Sequence, residues 1–81
     1  MDRQALFERV VAGMVDIMGV SQDDIHEDTK LQDLSADSLD VIELITSLEE
    51  SLDITIDDEV LTSVNTVGEC VDALQDALSE H

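Results

Sequence analysis

The sequence predicts an all-α fold: a small bundle of three main helices plus a short fourth helix, with a long loop between helices one and two. Three observations predict it. Apolar residues recur at helical spacing in three separate stretches. Nothing reads as a sheet, since the one run that could be extended, "ITI" after Asp53, is too short to build one. The chain has 81 residues, which fits a single domain over 1–81. Its core must be Leu, Ile, Val and Met, because Phe7 is the one aromatic residue.

The first helix runs from about Arg3 to Met18. Leu6, Val10, Met14 and Ile17 repeat at helical spacing, and Phe7, Val11 and Met18 widen the stripe. Asp2 is the expected N-cap and Gly19 the expected stop. Residues Val20 to Asp37 are mostly loop and mostly polar, with Ile25, Leu31 and Leu34 as anchors into the core. A loop of that length in so small a domain is often functional.

The second helix runs from about Ser38 to Leu52. Val41, Leu44, Ile45, Leu48 and Leu52 fall within an arc of about 100° and form its core face. Asp40, Glu43, Ser47 and Glu50 lie opposite. Leu39 and Ile42 belong to neither set and project beside the carboxylates, which suggests a docking face. A turn or two of helix follows around Asp58 to Thr62. The last helix opens at "TVGE", where Thr66 and Glu69 have the spacing of a capping box. Val67, Cys70, Val71, Leu74 and Leu78 supply its apolar stripe.

Charge narrows the possible partners. Arg3, Arg9 and Lys30 face 21 acidic residues, for a net charge of -18. Such a chain repels phosphate backbones and anionic membrane surfaces, so neither nucleic acid nor membrane insertion is expected. No apolar run is long enough to span a bilayer, and "MDRQALFERV" lacks the apolar core of a signal peptide. Basic patches on other proteins should attract it. Hydrophobic residues make up 43% of the chain, too many and too regularly spaced for a disordered acidic tail. Cys70 is the single cysteine, which allows no internal disulfide and fits a reducing compartment such as cytosol.

Catalysis has little support. Ser38 has no basic residue near it in sequence, His26 reads as a solvated loop residue, and His81 ends the chain. Cys70 sits within an apolar stripe, which suits a small buried side chain better than a nucleophile. The acidic clusters "DDIHED" and "DEV" lack the turn glycine of an EF-hand, and one cysteine makes no zinc pattern, so no metal site is expected. Ser38 itself could be a plain helix cap. Asp37 is the better cap, which makes Ser38 the first helical residue with its hydroxyl outward. A helix start tolerates a phosphate there. An acidic, calcium-responsive helical binding module without a covalent cofactor stays open, as does an acidic adaptor.

The stretch "DLSADSLDVIELITSLEE" resembles the phosphopantetheine attachment motif of the acyl carrier protein family. The likeness extends along the chain: a first helix ending in "GV", an acidic loop, the modified helix, a short acidic third helix and "TVG" before the last. It implies a carrier, not an enzyme, with no catalytic residue of its own. Ser38 would receive 4'-phosphopantetheine from coenzyme A, attached through a phosphodiester by a phosphopantetheinyl transferase. The terminal thiol of that arm would hold acyl groups as thioesters.

The resemblance also implies partners: acyl-transfer, condensing and reducing enzymes with basic docking patches, in fatty acid synthesis or a related polyketide or specialised lipid pathway. Asp37, Leu39, Asp40, Ile42, Glu43, Thr46 and Glu50 would meet them. Ile45, Leu48, Ile56, Leu61, Val64 and Cys70 match positions that shelter the acyl chain. A discrete monomer in the bacterial cytoplasm or an organelle is expected. Ser35, Asp57, Thr46, Lys30, Leu61 and Cys70 depart from the common pattern, which points to a specialised carrier.

Overall fold

Local chemistry sets where each helix begins and ends. Helix α1 spans Arg3–Met18, and Asp2 caps it by accepting from the Ala5 N–H at 2.8 Å. Gly19 ends it in the left-handed region at φ 69, with its N–H donating to the Val15 carbonyl. Helix α2 spans Ser38–Leu52 and ends at Asp53, φ 56, a conformation aspartate tolerates better than most side chains. Helix α3 covers Asp58–Ser63. The preceding Asp57 holds φ -65, the angle a proline ring would impose. Helix α4 spans Val67–Ser79. The structure, a computed structural model, describes residues 2–34 and 37–79, without the side chains of Ser38, Asp58 and Leu61. Ser35 and His81 lie outside the described residues.

Helix α1 packs against both α2 and α4. Leu6, Val10 and Met14 from α1 meet Leu44, Ile45 and Leu48 from α2, and Val67, Cys70, Val71, Leu74 and Ala77 from α4, in a single cluster. Ile54 and Ile56 close one side of it, and Ile25 and Leu31 another. Each fully buried aliphatic side chain of this kind stabilises the fold by about 1.5–3 kcal/mol. Gly13 lets the first two helices approach, since a Cβ there would stand 2.6 Å from Leu44 Cδ1. Ile17, Leu34, Val41, Leu52 and Leu78, expected in the core, are half-buried and pack around its edge.

The first interhelix segment is more ordered than its polar composition predicts. It contains 3-10 turns at Gln22–Asp24 and Leu31–Leu34. It is also stitched to the start of α4. Val67 N–H donates to the Thr29 carbonyl at 3.0 Å, Gly68 N–H to the Glu27 carbonyl at 2.8 Å, and Leu31 N–H to the Asn65 carbonyl at 2.9 Å. The reason is reciprocal need: a helix start and a folded-over loop both carry backbone groups without internal partners. Gly68 permits the approach, because a Cβ there would meet the Glu27 carbonyl oxygen at 2.9 Å.

The predicted capping box at Thr66 forms only in part. The Thr66 hydroxyl accepts from the Glu69 N–H at 3.2 Å, but the Glu69 carboxylate bonds that same hydroxyl rather than a backbone N–H. The loop carbonyls have taken over much of the capping. Arg3 then fastens the assembly from the side. Its Nε donates to Glu27 at 3.0 Å, and its Nη1 to Asp72 at 2.6 Å and Gln75 at 2.7 Å. The guanidinium holds the Glu27 carboxyl below the usual range, chiefly by direct hydrogen bonding.

Candidate functional site

The start of α2 is built by two aspartates. Asp37 has extended backbone and its Oδ1 accepts from the Asp40 N–H at 2.9 Å. The Asp40 carboxylate reaches back to the Asp37 N–H at 3.5 Å, completing a capping box. The Asp37 carbonyl takes the Val41 N–H at 3.2 Å. Ser38 therefore opens the helix rather than capping it. Its side chain lies outside the described residues.

The capping box changes the reading of the acidic face. The sequence places Asp40 in the outward row beside Glu43 and Glu50; in the structure it is half-buried and also engaged in the cap. The reason is position: it stands at N3, where a carboxylate can return to the N-cap N–H. Asp37, Glu43, Thr46, Ser47 and Glu50 are exposed. Leu39 is 62% exposed and Ile42 47%, two large apolar side chains among these polar groups. The structure thus presents an apolar pair with carboxylates beside it, directly after Ser38 in sequence.

Glu49 has a role that the sequence analysis missed. Its carboxylate accepts from the Ile56 N–H at 2.9 Å, and its carbonyl accepts from the Asp53 and Ile54 N–H groups. One residue thereby ends α2 and ties the approach to α3 back onto it. The sequence signal was slight: the left-handed turn at Asp53 brings Ile56 within reach, and periodicity does not show such a turn.

Of the residues matched to acyl-chain shelter, Ile45, Leu48, Ile56 and Cys70 are buried in the common core and Val64 is half-buried against it. The side chain of Leu61 lies outside the described residues. Burial, with a smaller contribution from the Glu69 charge, pushes the Cys70 thiol up to about 12. It is therefore a packing group at neutral pH, not a nucleophile. His26 is exposed, with its backbone N–H donating to Thr29 Oγ1. Among the described residues no three His, Cys, Asp or Glu side chains converge on a point that could hold a metal. None of the described helices is long and apolar enough to cross a membrane.

Known proteins similar to this chain indicate its family and fold. The model of a family described as "Phosphopantetheine attachment site" matches residues 8–74. An acyl carrier protein of Sulfurovum sp. (strain NBC37-1) is 46% identical over 68 residues, spanning 83% of this chain and 91% of that one. A crystal structure of an acyl carrier protein from Thermotoga maritima superposes with a TM-score of 0.88 at 28% identity, over 99% of this chain and 94% of the other. The hexanoyl form of the carrier from the actinorhodin polyketide synthase of Streptomyces coelicolor gives 0.74 at 28% identity, over 93% and 87%.

Proposed function

Because the chain belongs to the acyl carrier protein family, we propose that Ser38 bears its 4'-phosphopantetheine arm and that the exposed face of α2 presents the arm to enzymes. The observation that carries the reading is the position of Ser38. It is the first residue of α2, placed there by the Asp37–Asp40 capping box, next to the exposed Leu39. The residues present fit the group: the positive end of the helix dipole favours a phosphodiester at that point. When bound, the arm supplies a thiol that holds acyl groups as thioesters.

The protein's own residues do the rest. The Ser38 hydroxyl would give its proton to a base of the transferase and form the new O–P bond at the pantetheine-side phosphorus of coenzyme A, while the P–O bond of the pyrophosphate breaks and adenosine 3',5'-bisphosphate leaves; the transferase would supply magnesium and the catalytic groups. Asp37 and Asp40 fix the helix start. Leu39 and Ile42 offer apolar contact, and Asp37, Asp40, Glu43, Thr46 and Glu50 give the polar surround that basic patches recognise. The proposed partners are a phosphopantetheinyl transferase and acyl-transfer, condensing and reducing enzymes. Interfaces on so small a face suit brief contacts, as a carrier requires. Ile45, Leu48, Ile56, Leu61, Val64 and Cys70 are the proposed shelter for the acyl chain, which must part packed side chains to enter.

The test is direct. The full chain is incubated with coenzyme A, magnesium and a broad-specificity transferase, and its intact mass is measured. One added phosphopantetheine is expected, with none in Ser38→Ala. A folded wild-type chain that gains no mass overturns the carrier reading. Addition that persists in Ser38→Ala overturns only the assignment of the serine.

A further inference from the structure

Helix α1 carries a second apolar row besides the one it buries. Phe7, Val11 and Val15 recur every fourth residue, so they stand one above another on one side of the helix. Phe7 and Val11 are half-buried, and Val15 is 38% exposed. Among the described residues the other large apolar side chains exposed like this are Leu39 and Ile42, on α2. Val15 therefore marks a separate place. Together with Ala12 and the 3-10 turn at Gln22, the row lines an open cleft of about 750 Å³. Gln4, Glu8, Asp16 and Asp23 also line it, and neither Lys nor Arg is among the lining residues.

The cleft faces away from α2. Gly13 marks the side of α1 that touches α2, because a Cβ there would stand 2.6 Å from Leu44 Cδ1. Val11 and Val15 are each two residues from Gly13, which at 3.6 residues per turn puts them about 160° around the helix from it. A protein seated in this cleft leaves Leu39, Ile42 and Glu43 uncovered.

The geometry points to a second docking surface on this protein: the α1 cleft takes a segment of a partner protein that presents apolar side chains flanked by Lys or Arg. Charge complementarity selects that occupant. The lining sets three carboxylates, Glu8, Asp16 and Asp23, beside Phe7, Val11 and Val15. A second copy would set these carboxylates against their own kind at a net charge of -18 per chain. Length sets the scale of the contact. From Phe7 to Val15 the helix rises about 12 Å, room for roughly two turns of a facing helix. Such a surface could hold the carrier near an assembly while α2 stays free for successive enzymes. The inference does not rest on the Ser38 assignment.

It is tested with the full-length chain labelled with nitrogen-15, as wild type and as Ser38→Ala. The probe is a synthetic helical peptide with leucines on one face and lysines on the other. Saturable amide shifts are expected at Phe7, Val11, Ala12, Val15, Gln22 and Asp23 in both proteins. Affinity should fall several-fold between about 50 and about 300 mM salt. Val15→Asn should weaken binding about tenfold with the helical circular dichroism unchanged, and Glu8→Gln with Asp16→Asn should flatten the salt dependence. Shifts confined to residues 39–43, or diffuse shifts that do not saturate, overturn the proposal. So does equal binding by a peptide with serine in place of leucine, or by Val15→Asn. Self-association of the chain through the cleft in sedimentation overturns it as well.

Discussion

Cys70 shows how one position decides the reactivity of a residue. The same thiol on a loop would titrate near its ordinary value of 9.0, whereas burial here pushes it up to about 12. The sign follows. Its folded value is raised, so burying the neutral thiol favours the fold below 9.0 and that contribution is lost as pH rises toward 12. The reactive sulfur of a working carrier must then be the one on the arm. Native protein bearing the arm should take up one equivalent of iodoacetamide at pH 8, and the second only after denaturation. Rapid double labelling of the folded chain would show that Cys70 is accessible and reactive after all. Asp40 teaches a related lesson: it was readable as one of an acidic row, but its place three residues after Asp37 commits it to the helix cap.

Among the elements, α1, α2 and α4 were legible because their signals are local. Asp2, Gly19 and Asp37 sit where caps belong, and Leu6, Val10 and Met14 or Leu44, Ile45 and Leu48 repeat at helical spacing. What joins the elements was not legible. Glu27 to Gly68, Thr29 to Val67 and Glu49 to Ile56 pair polar groups that leave no period in the sequence. The candidate site divides the same way: Ser38, Leu39 and Ile42 are legible in the motif, while Glu49 is not. Arg3 is the clearest case, since it links α1, the first interhelix loop and α4 through Glu27, Asp72 and Gln75. The Glu27 carboxyl is held below its ordinary 4.5, so its share of stability is present above that value and is lost as pH falls through its lower folded value. Arg3→Gln should therefore lower the urea midpoint at pH 7, and the gap from wild type should close as the medium is acidified below 4.5. Lys30→Gln removes the same charge from an exposed residue and serves as the control. A gap that stays constant down to pH 3, or one matched by Lys30→Gln, would mean the contact does not fasten the loop.

For the whole molecule, the charge proposed to draw partners opposes folding. At -18 the folded chain confines its carboxylates within extents of 31 × 24 × 20 Å, and their mutual repulsion favours expansion. Mobile ions screen that repulsion over about 8 Å at physiological ionic strength. If basic partners dock on the acidic α2 face as proposed, the same screening weakens that attraction. Salt should consequently move the two properties in opposite directions. Raising sodium chloride from about 50 to about 300 mM should stabilise the fold by on the order of 1 kcal/mol, about 4–8 °C in Tm. It should slow arm attachment by a basic transferase several-fold over that range. Glu43→Lys separates the two effects, because Glu43 is exposed on α2 and makes no cap. The change takes the net charge from -18 to -16, so it should leave the fold at least as stable while slowing attachment and flattening its salt dependence. Thermal melts and single-turnover attachment rates across the salt series measure both. If attachment by wild type proves indifferent to salt, or Glu43→Lys is attached as fast as wild type, the acidic face does not steer its partners, and Leu39 and Ile42 must carry recognition by contact alone.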